Sequence, residues 1–370
     1  MPLHPLKRLE DRLRDAAQLV DYGLYLVFNL FKFKRFPNKI KRILVVETLQ
    51  IGDLLVATPV LRALKQHYKS AKVDVLVQPH TAQLLEGNTS VDAVIPFTSF
   101  ADVLSCLREN KYDLSILLHT ASLKMSWLLL RAGVQYRIGA TKSGFLSGKG
   151  FFLHKKLRPV IKDQHKIQDN LDVLRSIGIS PKDSSLELHL QKKAVAVVNK
   201  FMKHFKGKTI ILHASSKHKS HHWMPERFAR LADALVHKYK SNILFTGTKD
   251  DLHHINYIIQ HMRQRQRAHN LAGRTTLSQL IALVDAVDLA VTIDTSMTHI
   301  ASARKTPVVV LFGPTMPPFW GPSSKNSRYI WKEDTCVGCR RSFCVYNKNY
   351  ICMRSIYESD VLQKIQEVFP

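Results

Sequence analysis

Short apolar runs separated by segments of helical length, repeated in two series, constrain the fold more than any other feature of this chain. In the first series Ile43–Glu47, Val73–Val77, Ala93–Phe97, Leu114–Leu118 and Tyr136–Gly139 have the length and near-continuous apolar character of strands buried on both faces. Helical stretches such as Thr58–Tyr68 and Phe100–Asn110 lie between them. The second series is Thr209–His213, Asn242–Thr246, His269–Ala272, Leu289–Ile293 and Val308–Phe312. Strands that alternate with helices pair through βαβ crossovers, so each series predicts a doubly wound parallel sheet. A chain of 370 residues holds two such α/β domains, expected at 43–180 and 181–370 with a linker near 181–187. Joined once, they would leave a central cleft at the carboxyl ends of both sheets, where ligands of open α/β folds bind.

Residues 1–42 read differently. Leu6, Leu9, Leu13, Ala17, Val20, Leu24, Val27 and Phe31 recur at intervals of three or four, one face of an amphipathic helix, and basic residues fall between and after them. Such a segment suits the headgroup region of an anionic membrane; a helix packed on the protein's own surface is the plainer alternative. The whole chain has 55 Lys and Arg against 29 Asp and Glu, a formal charge of +26, which calls for an anionic partner. Nucleic acid is disfavoured, because no basic stretch is interleaved with stacking aromatics. No apolar run approaches the roughly 20 residues that span a bilayer, and no signal peptide opens the chain. The expected place is therefore cytoplasmic, peripheral on the inner face of a membrane.

Chemistry concentrates where strands end. Ile51-Gly52-Asp53 follows the first strand, and a carboxylate there can take a proton from an attacking hydroxyl or simply cap the next helix. His213-Ala214-Ser215-Ser216 closes another strand, and Lys217-His218-Lys219-Ser220-His221-His222-Trp223 continues it. Two hydroxyls and a crowd of basic groups make a pyrophosphate clamp. Asp294-Thr295-Ser296 lies between Leu289–Ile293 and a helix opening near Met297, with His299 one turn in. The free N–H groups and the dipole of that helix N-terminus favour a phosphorylated ligand; helix capping by the same residues is the plainer use. Neither G-x-G-x-x-G nor a P-loop is present, which speaks against dehydrogenase and P-loop chemistry.

IGDLLVATPVLRALK from Ile51, RIG at Arg137–Gly139, HKIQDNLDVLRSIGI from His165, NLAGRTTLSQLIALVDAVDL from Asn270, and DTSMTHIA and TPVVVLFGPT beyond Asp294 occur in order. Together they resemble the bacterial lipopolysaccharide heptosyltransferases, the ADP-heptose-using GT-B enzymes of glycosyltransferase family 9, over about 43–356. The resemblance implies a GT-B fold of two Rossmann-like domains and an inverting, metal-free, cofactor-free transfer of heptose or a related sugar to a lipopolysaccharide core. It implies Asp53 as general base and Ser215, Ser216, Lys219, His221, Asp294, Thr295, Ser296 and His299 as donor-binding residues. Three positions depart from the family pattern. His221 stands where lysine is usual, Ser296 where glycine is usual, and Glu47 where a basic residue is common.

Cys336, Cys339, Cys344 and Cys352 have a spacing that fits one zinc ion, and also fits reduced or partly paired thiols. Two other functions fit the same architecture. A sugar-nucleotide epimerase would need a second acid or base in the cleft, and a non-catalytic binder of anionic glycolipid would have no use for both Asp53 and Asp294.

Overall fold

The computed structural model describes residues 20, 36–118, 123–139, 152–157, 164–332, 339, 344 and 350–370. The amphipathic helix expected over 1–42 lies outside them except for Val20 and 36–42. Among the described residues no helix is long and apolar enough to cross a membrane. The chain divides into two compact units between His189 and Leu190.

The N-terminal unit comprises β1 (Arg42–Glu47), α1 (Ile51–His67), β2 (Lys72–Val77), β3 (Ala93–Pro96), α2 (Phe100–Asn110), β4 (Leu114–Leu117), α3 (Leu123–Arg131), β5 (Tyr136–Gly139), β6 (Lys155–Lys156) and α4 (Lys166–Arg175). Its sheet runs β3-β2-β1-β4-β5-β6 and every pairing is parallel. Ile43 of β1 is in register with Val73 on one side and Leu114 on the other, so the β-branched run is buried on both faces. The strand order reverses at β1/β4, which makes the carboxyl end of β1 a topological switch point. α1 is held against α4 by Asn170 Nδ2, which donates to the Val56 carbonyl at 3.3 Å.

The expected linker near 181–187 is tied to this same unit. Arg62 donates to the Ser185 carbonyl at 2.7 Å, and the Glu187 N–H donates to Thr58 Oγ1 at 3.0 Å. Paired polar groups of this kind carry the segment past residue 180, so the division falls later than the change in sequence pattern.

The C-terminal unit comprises α5 (Lys192–Met202), β7 (Thr209–His213), α6 (Pro225–Tyr239), β8 (Asn242–Phe245), α7 (Leu252–Gln260), β9 (Ala268–Asn270), α8 (Leu277–Ala286), β10 (Leu289–Ile293), α9 (Ser296–Arg304), β11 (Val308–Leu311), β12 (Ser327–Ile330) and α10 (Glu358–Gln366). Its sheet is again parallel, in the order β12-β11-β10-β7-β8-β9, and reverses at β7/β10. Phe228 on α6, Phe245 on β8 and Trp223 before α6 are buried against Ile210 and Val291. Each such side chain contributes roughly 1.5–3 kcal/mol by leaving water. The chain's end seals this core: Trp223 Nε1 donates to the Ile356 carbonyl at 3.0 Å and Arg227 to the Arg354 carbonyl at 2.7 Å.

Most expected strands stand within a residue or two of their predicted bounds. Two edge strands were not anticipated. β6 is only Lys155–Lys156 inside a basic segment, and β12, Ser327–Ile330, has no continuous apolar run.

Candidate active site

Asp53 is the third residue of α1, inside the first helical turn rather than before it. Its Oδ2 accepts from the Gln50 N–H at 3.1 Å, the return half of a capping box with Gln50 as N-cap. The carboxylate thus caps the helix and is half-buried at its start. Burial raises its pKa above the usual aspartate value, opposed by the Gln50 N–H and by the positive charge of Lys166.

Glu47, the last residue of β1, shares that corner. It is 1% exposed; Oε1 accepts from the Leu49 N–H at 3.2 Å and Oε2 has no hydrogen-bond partner among the described residues. Burial first, and then the nearby Asp53, hold its carboxyl well above the ordinary glutamate range, so it favours the protonated form. Lys166, first residue of α4, is buried with Nζ 2.8 Å from Asp169 Oδ2. It supplies the positive charge felt by both acids. Sequence reasoning missed Lys166. Its signal was a lysine directly after the capping His165 in HKIQDN, three residues before an acid. Arg137 of the RIG stretch is structural: Nε and Nη1 donate to the Phe152 and Val134 carbonyls, each at 2.7 Å.

In the C-terminal unit the residues expected to bind the donor gather at the β7/β10 reversal. Ser215 is 3% exposed and its hydroxyl has no partner among the described residues. Ser216 is fixed by its neighbours: Oγ accepts from the His218 N–H at 3.2 Å, and the ring of His222 meets its backbone. Lys217 and Lys219 are exposed. Thr295 caps α9, accepting from the Met297 N–H at 3.3 Å, and its hydroxyl lies 3.2 Å from that of Thr292. Ser296 opens the helix and is half-buried.

Asp294 and His221 are joined directly. His221 Nδ1 lies 3.2 Å from the Asp294 carbonyl oxygen. The Asp294 carboxylate accepts from Thr315 Oγ1 at 2.5 Å, and burial still pushes its pKa up to about 6. Thr315 belongs to the GPT stretch, and sequence reasoning gave it no role. His221 moves the other way: burial lowers its pKa to about 4, aided by the adjacent His218 and His222. His299 is buried beneath the helix start, its ring 6.0 Å from that of Trp320, and so supports the turn from inside.

Of the cysteines, Cys336 lies outside the described residues, whereas Cys352 is buried beside Gly313. Among the described residues no three His, Cys, Asp or Glu side chains group as ligands for a metal ion.

Two parallel α/β units, each with polar residues gathered at a strand-order reversal, define the architectural class of this chain. The whole fold is similar to that of the glycosyl transferase family 9 protein of Veillonella parvula, with a TM-score of 0.77 at 22% identity over 89% of this chain and 97% of that one. It is also similar to Escherichia coli ADP-heptose lps heptosyltransferase II, with a TM-score of 0.73 at 22% identity over 88% and 98%. In sequence it is 28% identical over 344 residues to lipopolysaccharide heptosyltransferase 3 of Escherichia coli K12, spanning 86% of this chain and 95% of that protein. The profile of glycosyltransferase family 9 (heptosyltransferase) matches residues 101–350, more than half of the chain. The chain belongs to that family, and it is a glycosyltransferase.

Proposed function

We propose that this protein transfers heptose, or a closely related sugar, from ADP-heptose to the inner core of lipopolysaccharide with inversion at the anomeric carbon. Family membership and the relatives named for lipopolysaccharide heptosyl transfer support the substrate class. The observation that carries the catalytic part is Asp53, a carboxylate at the first turn of α1 whose burial makes it a stronger base than a free aspartate. Asp53 takes the proton of the acceptor hydroxyl as its oxygen attacks the anomeric carbon, and the bond from that carbon to the diphosphate oxygen breaks. The departing ADP is stabilised by the N-terminus of α9, the hydroxyls of Ser215, Thr295 and Ser296, and the basic loop through Lys217, Lys219 and His221.

The N-terminal unit, from about residue 43, is the acceptor domain and the C-terminal unit the donor domain. The segment 1–42 holds the enzyme at the anionic cytoplasmic face of the inner membrane, where the acceptor carries negative charge. Deleting residues 1–36 is expected to release the protein from anionic vesicles at low salt; full retention would contradict the anchor. The enzymatic test is ADP release from ADP-heptose with and without a heptose-deficient core acceptor. Acceptor-dependent release supports transfer, and release that ignores the acceptor would refute it.

A further inference from the structure

The His221 ring has a defined tautomer. A backbone carbonyl only accepts hydrogen bonds, so the nitrogen 3.2 Å from the Asp294 carbonyl, Nδ1, is the one that carries hydrogen. In the neutral ring the lone pair then sits on Nε2. A lone pair repels a phosphate oxygen, so the neutral ring cannot assist a diphosphate at this place. Protonated on Nε2, the same ring donates at both ends: Nδ1–H to Asp294 and Nε2–H to the anion.

The surroundings decide which form the unliganded protein holds. On its own loop the ring is flanked by His218, with centroids 5.5 Å apart, by His222, and by the exposed Lys217 and Lys219. His222 in turn lies 5.1 Å from the ring of His254 on α7, which feels Asp251 and Glu226. From the β10–α9 turn His221 meets only the carbonyl of Asp294, whose carboxylate is engaged by Thr315. No carboxylate among the described residues forms an ion pair with the ring, and its pKa falls to about 4.

Resting on the donor reading above, we propose that this enzyme binds its nucleotide-sugar diphosphate together with one proton, held on Nε2 of His221 between the Asp294 carbonyl and the incoming phosphate. A lysine at this position would carry its charge before the ligand arrives. Here the charge is made on binding, so donor affinity weakens as pH rises.

Calorimetric titration with ADP-heptose, without acceptor, in buffers of differing ionisation enthalpy reads the protons taken up. The diester ligand has no phosphate titrating near neutrality. Wild type is expected to take up close to one proton near pH 6.5, with the dissociation constant rising up to about tenfold per pH unit between the free-ring pKa of about 4 and the bound-state pKa, and levelling off above it. His221→Lys and His221→Gln are expected to take up none; the lysine variant keeps its affinity across that range, and the glutamine variant binds weakly at every pH. Wild-type binding without proton uptake overturns this inference alone, as does uptake that persists in both variants and so belongs to Asp294, His218 or His222. Failure of ADP-heptose to bind at all would overturn the donor reading and this inference with it.

Discussion

Nδ1 of His221 and the carbonyl oxygen of Asp294 stand 3.2 Å apart, joining the loop after β7 to the turn after β10. The two residues are 73 positions apart in sequence, and each belongs to a separate motif. Their contact lies at the point where the strand order of the C-terminal sheet reverses. It brings two stretches of polar sequence together, because a parallel sheet delivers the carboxyl ends of neighbouring strands to the same edge.

Replacing Asp53 by Asn removes the proposed base and keeps the shape of the side chain. The transfer rate is expected to fall by roughly 10²–10⁴-fold, the usual contribution of a general base, with ADP-heptose affinity unchanged. Product formation under saturating donor, beside a direct binding measurement, separates the two. In wild type the acid limb of kcat/KM should lie above 3.8, the ordinary aspartate value, because burial raises this carboxyl. Activity is lost as pH falls through that raised value. A variant with wild-type turnover would dismiss Asp53 as the base.

Glu47 predicts a fold that weakens as pH rises. Its folded pKa is raised, so the folded state binds the proton more tightly than the unfolded chain does. The associated stability is fully present below about 4.5, the unfolded value, and is lost as pH rises through the folded value. Glu47→Gln should remove this dependence, so the difference in Tm between variant and wild type grows as pH rises. Thermal melts of both proteins from about pH 4.5 upward check it; parallel curves would contradict it.

Gly273 sits at φ +68°, and a Cβ there would lie 2.9 Å from Lys249 Cα. Gly273→Ala combines left-handed backbone strain with a backbone clash between the β8 and β9 loops. A loss of about 1–3 kcal/mol is expected, hence a fall in Tm of several degrees measured by calorimetry. Gly133, at φ +75° with nothing near its Cβ position, supplies the control: its alanine variant should lose less.

Trp223 is 1% exposed and donates to the Ile356 carbonyl at 3.0 Å. Trp223→Ala is expected to cost about 3–5 kcal/mol and to loosen the α10 end of the chain together with the loop that carries His221. Limited proteolysis beyond residue 350 and denaturant unfolding would reveal both effects. Unchanged protection of the tail would show that the sealing contact is dispensable.

The strands and helices were largely legible because their signals are local. Runs such as ILVV in β1 and VVVL in β11 are buried on both faces, and continuous apolar character records that directly. Asp53, Ser215 and Asp294 were legible as candidates because each follows such a run. Sequence alone did not order the strands, so it could not bring the β7 and β10 ends together. It missed β6, where Lys155 and Lys156 pair with Ile138 and Gly139 inside a basic segment.

What the chain's sequence determined by itself is the parallel α/β class, the positions of most elements and the family pattern of the site. Tertiary structure decided which charges meet. Lys166 reaches Glu47 and Asp53 only because α4 packs on α1, and Thr315 reaches Asp294 only because β11 lies beside β10. Protonation states follow from that packing, since desolvation and the nearest charge act through space and leave no trace in local sequence.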